Sequence, residues 1–263
     1  MKLVLFFVLL AVPSWGAWGT ATGACTAQSK TAGVDLDCIP TVAFTAGNVA
    51  ILWAAMDNVA TTDQNSNDCT SVIDTTGNNT WVKLREFTNA QGAGAAGATT
   101  CIFYSILTTG VGTGDAIRFT HTSVTARAIS VIEFTIGAGN TVSIVGTPVD
   151  LANDAADPGS MTVGSLASAE HLWIRSIALE RANASCTATS GGLFATIPNN
   201  GTTGGGAASN MNVCGEWDVA TATTNTSDPG ATAVDNASIF LALDEGTPAA
   251  TTGVGWYGKS GYF

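Results

Sequence analysis

Short apolar or β-branched runs recur along the chain between clusters of Gly, Asn, Asp, Thr and Pro. In the run 126–136, apolar or small side chains alternate with Arg127, Glu133 and Thr135. A period of two with one apolar face is typical of a half-buried antiparallel strand. The runs of this kind span 49–56, 80–87, 99–109, 115–121, 126–136, 141–149, 160–166, 171–180, 212–221 and 237–245. They predict an all-β chain of ten or more strands in an antiparallel two-sheet sandwich.

Two features of this pattern leave alternatives open. The run 171–180 also fits a short helix, because Leu172, Ile174 and Ala178 could share one side. The stretches 49–136 and 171–243 both run from one apolar strand, through a Gly-rich segment, to another. This weak similarity suggests an internal repeat.

The first 16 residues have the features of a secretory signal peptide. Lys2 precedes an apolar run at 3–12, and Ser14 and Gly16 occupy the −3 and −1 positions before Ala17. The run is shorter than the roughly 20 residues that a spanning helix needs. We therefore expect a signal peptide at 1–16, one β-sandwich domain at 17–263 and no membrane span after cleavage. The domain core is expected at about 40–245, followed by an aromatic tail at 246–263.

The six cysteines agree with export to an oxidising compartment. Of the fifteen pairings available, the expected set is sequence-local and joins 25 to 38, 69 to 101 and 186 to 214. The cysteines are Cys25, Cys38, Cys69, Cys101, Cys186 and Cys214. No CxxC pair occurs, which argues against a structural zinc site.

The charge balance excludes one class of partner. The formal net charge is −11, and only 9 of the 263 residues are Lys or Arg. Nucleic-acid binding requires clusters of basic side chains that neutralise phosphates, so we expect no nucleic-acid partner.

Catalytic motifs are missing from the sequence. It contains no G-x-S-x-G and no H-E-x-x-H, and its two histidines, His121 and His171, fall in predicted strands. We therefore expect a protein that is not an enzyme. The alternative is a secreted glycosidase-like enzyme, which would need a pair of carboxyl groups that the sequence does not single out.

One loop carries candidate metal ligands. Asp57, Asp63 and Asp68 lie among Asn and Gln and supply the hard oxygen donors that calcium prefers. Solvated turn residues are the alternative explanation, because Asp and Asn favour turns on their own account. No other cofactor is expected.

Four aromatic residues are candidates for ligand binding. They are Trp81, Trp217, Trp256 and Tyr257. Exposed aromatic rings at these positions could contact the face of a sugar, and the last two could instead pack on a neighbouring subunit or on their own domain.

The stretch "SVIDTTGNNTWVKLREF" (71–87) is predicted to be a hairpin. Gly77 and Asn78 tolerate positive φ in a turn. Asp74 is expected to accept hydrogen bonds from backbone amides of that turn.

A family resemblance rests on this stretch and its neighbours. "AGNVAILWAAMDN", then the segment from "SVIDTTGNNTW" to "CIFYSILTT", and then "GDAIRFTHTSVTARAISVIEFT" resemble a β-sandwich family. That family occurs in bacterial secreted proteins, tailed-phage structural proteins and environmental viral sequences. The resemblance covers about residues 45–136, and 165–245 by strand order only. It implies a jelly-roll-like sandwich used for display or attachment, with no catalytic residues to carry over.

These observations lead to one expected function and two alternatives. The expected function is adhesion or structural display by a non-enzymatic protein that is secreted, or alternatively located on a virion surface. Its partners would be a cell-surface glycan or protein, or neighbouring subunits of a particle. The alternatives are a carbohydrate-binding module or lectin, and the glycosidase-like enzyme.

Overall fold

The computed structural model describes residues 17–57, 64, 66–89, 97–191, 193–206 and 209–246. These residues form 16 β-strands, paired antiparallel throughout, and no α-helix. The predicted all-β antiparallel fold is confirmed. The run 171–180, for which a helix was the alternative, lies in a strand.

The first half of the chain forms two sheets. A five-stranded sheet has the order β1-β8-β3-β6-β5, and a three-stranded sheet has the order β2-β7-β4. The strands are β1 (Ala21–Ser29), β2 (Gly33–Cys38), β3 (Val49–Asp57), β4 (Cys69–Asp74), β5 (Val82–Asn89), β6 (Ala98–Ile106), β7 (Ile117–Val124) and β8 (Arg127–Phe134).

The second half also forms a large and a small sheet. The large sheet has the order β12-β14-β11-β16-β9, with β13 also paired to β14, and the small sheet pairs β10 with β15. The strands are β9 (Thr141–Ala156), β10 (Met161–Val163), β11 (Ala169–Leu179), β12 (Ala195–Thr196), β13 (Asn200–Gly201), β14 (Asn212–Ala222), β15 (Asn225–Ser227) and β16 (Val234–Gly246).

The two large sheets pack face to face and form the central sandwich. One apolar core fills the space between them and includes Ile51 and Trp53 from the first half and Ile174 and Ile239 from the second. Each small sheet covers the outer face of its own large sheet through a separate apolar cluster. Both faces of β3 and β8 are therefore buried, which explains why every residue of β8 is buried.

The two halves share one topology. If the large-sheet strands of each half are numbered in chain order, the first sheet reads first, fifth, second, fourth, third, and the second sheet reads the same when it is listed from β9. The small-sheet pairs also correspond, because β2 with β7 and β10 with β15 occupy the same places in the chain order. The suggested repeat therefore has a counterpart in three dimensions.

Local contacts repeat as well. The amide of Asp57, at the end of β3, donates to the carbonyl of Ala126 over 2.9 Å. The amide of Glu180, just after β11, donates to the carbonyl of Asp235 over the same distance. Asp57 and Glu180 thus occupy equivalent positions at one end of the sandwich.

The structure holds the three expected disulfides, with Cα–Cα distances of 5.9 Å for 25–38, 6.6 Å for 69–101 and 6.1 Å for 186–214. Two of them are equivalent in the repeat. Cys69 starts β4 and joins β6, while Cys186 lies beside Thr187, which bridges to Gly230, and joins β14. Three disulfides indicate an oxidising environment.

The hairpin predicted at 71–87 is wrong. β4 pairs with β7 in the three-stranded sheet, and β5 pairs with β6 in the five-stranded sheet. The turn at Gly77, whose φ is +69°, therefore carries the chain from one sheet to the other. The apolar residues of β4 pack in the core between the three-stranded and five-stranded sheets, whereas those of β5 pack in the core between the two large sheets.

The two histidines lie in strands, as their sequence context indicated. His121 is buried beside the ring of Phe119, with ring centroids 5.0 Å apart. His171 pairs with Asp244 on β16. In the described part of the chain, no helix has the length and hydropathy to cross a membrane.

Candidate functional site

Trp217 lies where the two halves meet at one edge of the sandwich. It belongs to β14, opposite Ile174 of β11 and Ala195 of β12. Its partly buried ring meets Phe134 of the first half edge to face, with centroids 5.1 Å apart and an interplanar angle of 82°. The indole is thus held by aromatic packing.

A groove of about 380 Å³ opens beside this ring. One wall is the start of β1, residues 21–24, with Ile132 of β8 behind it. The opposite wall comes from the second half. It consists of Ala195, Thr196, Pro198 and Trp217.

The rim and floor of the groove combine apolar surface with hydroxyl groups. Thr41 and Val42 form part of the rim, and the Val42 side chain is 58 % exposed. The Thr22 hydroxyl donates to Glu133 Oε2 over 2.8 Å. Concave sites that mix apolar surface with a few polar groups are typical of small-ligand sites.

Glu133 lies behind the β1 wall of the groove and holds it through hydrogen bonds. Its buried carboxylate also accepts from the amide of Thr45 at 2.5 Å and from Asn48 Nδ2 at 2.7 Å. Gly23 packs closely here, because a Cβ at this position would lie 3.0 Å from the Phe44 ring and 3.2 Å from Glu133 Oε2. A larger residue at 23 would require the Phe44 and Glu133 side chains to shift by a few tenths of an ångström.

None of the described residues that line the groove has an ionisable side chain. Glu133 is the nearest buried acid in this network, and its oxygens are occupied by hydrogen bonds. The groove therefore provides shape, an aromatic ring and hydroxyl groups.

Trp81, the second aromatic candidate, has a different environment. Its Nε1 donates to Asp74 Oδ2 over 3.0 Å, and the ring packs against the core between the five-stranded and three-stranded sheets. Asp74 also accepts from the hydroxyl of Thr76, and its carbonyl accepts from the amide of Gly77 over 3.0 Å. These bonds tie Trp81 to the turn between β4 and β5. Trp256 and Tyr257 lie outside the described residues.

The predicted calcium ligands are only partly described. Asp57 ends β3 in the large sheet, and Asp68 precedes β4 in the small sheet, where Thr122 Oγ1 donates to its carboxylate over 3.0 Å. Asp63 lies outside the described residues. Within the described chain, the one group of three metal-type ligands is Cys69, Glu86 and Cys101, and its two sulfurs are joined in a disulfide. The calcium site stays a prediction.

The structure brings together a group of acids that sequence patterns missed. Glu180 is 5 % exposed, and its Oε2 accepts from the amide of Gly97 over 3.0 Å. Burial, with the neighbouring Asp235 and Asp57, raises the pKa of Glu180 to about 7. Burial also raises the pKa of Asp57 to about 6. Alignment of the two repeated strands would have placed Asp57 and Glu180 at the same position.

Sequence patterns also could not locate the walls of the groove. Residues 21–24, 41–42 and 195–198 are uncharged and lie far apart in the chain. No local motif joins such segments, and only the packing of the two halves brings them together.

No family model, curated protein or solved structure matches this chain. The resemblance to the β-sandwich family of display and attachment proteins therefore stays an expectation from sequence.

Proposed function

We propose that this protein is an exported, non-enzymatic β-sandwich that acts by adhesion and binds a saccharide in the groove beside Trp217. The observation that carries the proposal is the placement of Trp217, a partly buried indole in the wall of an open groove between the two halves.

The chemistry of the groove suits a sugar. A pyranose ring has an apolar C–H face, which can lie on the negative face of an aromatic ring, and a hydroxyl edge that needs hydrogen-bond partners. Trp217 supplies the ring, and Thr22, Thr41 and Thr196 supply hydroxyl groups. Uncharged lining favours a neutral saccharide over an anionic one.

Three further features support adhesion outside the cell. Three disulfides suit an oxidising, extracellular location. The acidic surface, with a formal net charge of −11, keeps a secreted protein soluble and suppresses non-specific contact with nucleic acid. The ten-residue apolar run before Pro13 supplies the export signal expected from sequence.

The test is a glycan array probed with the full chain and with Trp217→Ala, followed by calorimetric titration of each positive glycan. We expect binding by the wild type and a loss of about 10-fold or more in the variant, since removal of a ring contact worth about 1.4 kcal/mol changes an affinity tenfold.

Tyr104→Ala is the matched control. Tyr104 stands three residues after Cys101, as Trp217 stands three residues after Cys214, and it is also partly buried in a large sheet. Its loss should lower stability and leave glycan affinity unchanged. A protein that binds no glycan in either calcium or EDTA, or whose binding is equally weakened by both variants, would refute the proposal.

A further inference from the structure

The first strand presents an open edge to solvent. β1 (Ala21–Ser29) pairs with β8 along its length, and no strand among the described residues pairs with its other edge. Asn200 Nδ2, from outside the sheet, donates a hydrogen bond to the carbonyl of Ala27 over 2.6 Å. Thr26 and Gln28 are exposed. Such an edge is a template for another strand.

The other long edge strands have charged residues, a proline or an irregular register, which oppose pairing with a further strand. β5 contains Lys83, Arg85 and Glu86, and β9 contains Pro148 and two aspartates as well as an irregular register. In the small sheet of the first half, β2 contains two aspartates and β4 ends on Asp74. Of the described edge strands longer than three residues, β1 alone has no charged residue.

The distribution of charged residues bears on which partner could pair with the β1 edge. Two copies of a chain with a formal net charge of −11 repel each other, so contact between copies is favoured where acids are missing. Residues 17–34 contain no Asp or Glu and one Lys, Lys30. The Lys30 ammonium is held by Ser209 Oγ and Asn210 Oδ1, each at 2.9 Å. The β1 edge is therefore where a second copy meets the least repulsion.

We propose that β1 pairs antiparallel with β1 of a second copy and makes a two-fold dimer with a continuous ten-stranded sheet. A closed two-fold arrangement of identical strands is antiparallel, and backbone hydrogen bonds along the nine residues of β1 would hold it. Its uncharged small side chains allow this close approach.

The dimer proposal is separate from the proposed saccharide binding. Residues 21–24 of β1 also line the groove, so a second copy paired along that segment would lie beside the groove and compete with a saccharide there. Failure of glycan binding would leave the dimer proposal standing, and a monomer that binds glycan would refute the dimer alone.

The test is sedimentation velocity on the full chain with its disulfides intact, over a series of protein concentrations. The wild type should be in a monomer–dimer equilibrium. Thr26→Lys places a charge on the exposed edge, and we expect it to raise the dimer dissociation constant about 10-fold or more, because like charges across paired strands repel. Thermal unfolding of the variant should match the wild type, since Thr26 is exposed.

Thr70→Lys is the matched control, because Thr70 is an exposed position on β4, the edge of the small sheet. It should leave the dimer unchanged. The proposal is overturned if the wild type is monomeric at every concentration, if both Lys variants dimerise as the wild type does, or if the dimer is lost only when residues 247–263 are deleted.

Discussion

The large sheets of the two halves have the same strand order and differ at one edge strand. In the first half the third large-sheet strand, β5, is an eight-residue strand, Val82–Asn89, and it packs beside β9 of the second half. Its counterpart in the second half is broken into β12 and β13, of two residues each. The same topology thus gives one covered edge and one partly uncovered edge.

Tyr104 and Trp217 show what this difference does. Both stand in the fourth large-sheet strand, opposite Ile51 and Ile174 respectively. The Tyr104 hydroxyl donates to the carbonyl of Val142 at the start of β9, over 3.2 Å. Trp217 instead faces the groove along the start of β1. The interrupted strand therefore opens a site in the second half that the first half fills.

The largest expected effect concerns the two disulfides at equivalent positions in the halves, and it tests whether they contribute equally to stability. The disulfides 69–101 and 186–214 span 32 and 28 residues. Replacement of either pair by serines should lower the free energy of unfolding by about 3–4 kcal/mol, because each removes a similar constraint on the unfolded chain. Urea unfolding of both double variants measures it. Strongly unequal losses would show that the two disulfides do not contribute equally to the stability of their halves.

The next prediction concerns the equivalent acids Asp57 and Glu180. Their folded-state pKa values, about 6 and about 7, exceed the ordinary 3.8 and 4.5. The folded protein therefore holds protons that the unfolded chain has released. The contribution of these two acids to stability should be full below about pH 4, fall as the pH rises to about 7, and then level off.

Glu180→Gln isolates this effect. The amide keeps an acceptor for Gly97 N and removes the charge beside Asp235, so the variant should gain up to about 3 kcal/mol over the wild type at pH 8 and nothing at pH 4. Urea unfolding at the two pH values gives the comparison. A variant less stable than the wild type at pH 8 would contradict the assignment.

A smaller effect is expected at the turn that carries the first half from its small sheet to β5. Gly77 has a φ of +69°, and a Cβ there would meet no atom within 4 Å. Gly77→Val should therefore lower the free energy of unfolding by about 1–2 kcal/mol through backbone strain alone. Thermal and urea unfolding measure the loss. Groove binding should be unchanged, because Gly77 does not line the groove; normal stability would mean that the turn is assigned wrongly.

The smallest effect is expected at the covered edge. Arg85 of β5 forms an ion pair with Asp150 of β9, and the Arg85 side chain is 44 % exposed. Arg85→Ala should lower stability by less than about 1 kcal/mol, because exposed ion pairs contribute little. Arg118→Ala is the control, since its pair with Asp37 lies within the first half. A much larger loss for Arg85→Ala would mean that the edge depends on charge and not on strand packing.

Strand positions and disulfides could be predicted because their signals are local. Alternation in 126–136 and the spacing of Cys69 and Cys101 need no knowledge of the other half. The pairing partners of β4 and β5 could not be predicted, since a turn at Gly77 fits a hairpin and a crossing between sheets equally well.

The candidate site shows the same limit. Residue type selected Trp81 and Trp217 alike, but only the structure shows that the Trp81 indole is bonded to Asp74 while Trp217 lines a groove. The difference depends on the interruption between β12 and β13 and on the position of β1, which are contacts between distant segments.

The central claim is that the interruption in the second half makes the binding site. The most direct measurement is an NMR titration of the full chain with a glycan identified by the array, following the indole Nε1–H of Trp217 and the backbone amides. The account predicts saturable shifts at Trp217 and at residues 21–24 and 195–197, with none at Arg85 or Asp150. Shifts confined to the edge formed by β5 and β9, with Trp217 unchanged, would contradict it.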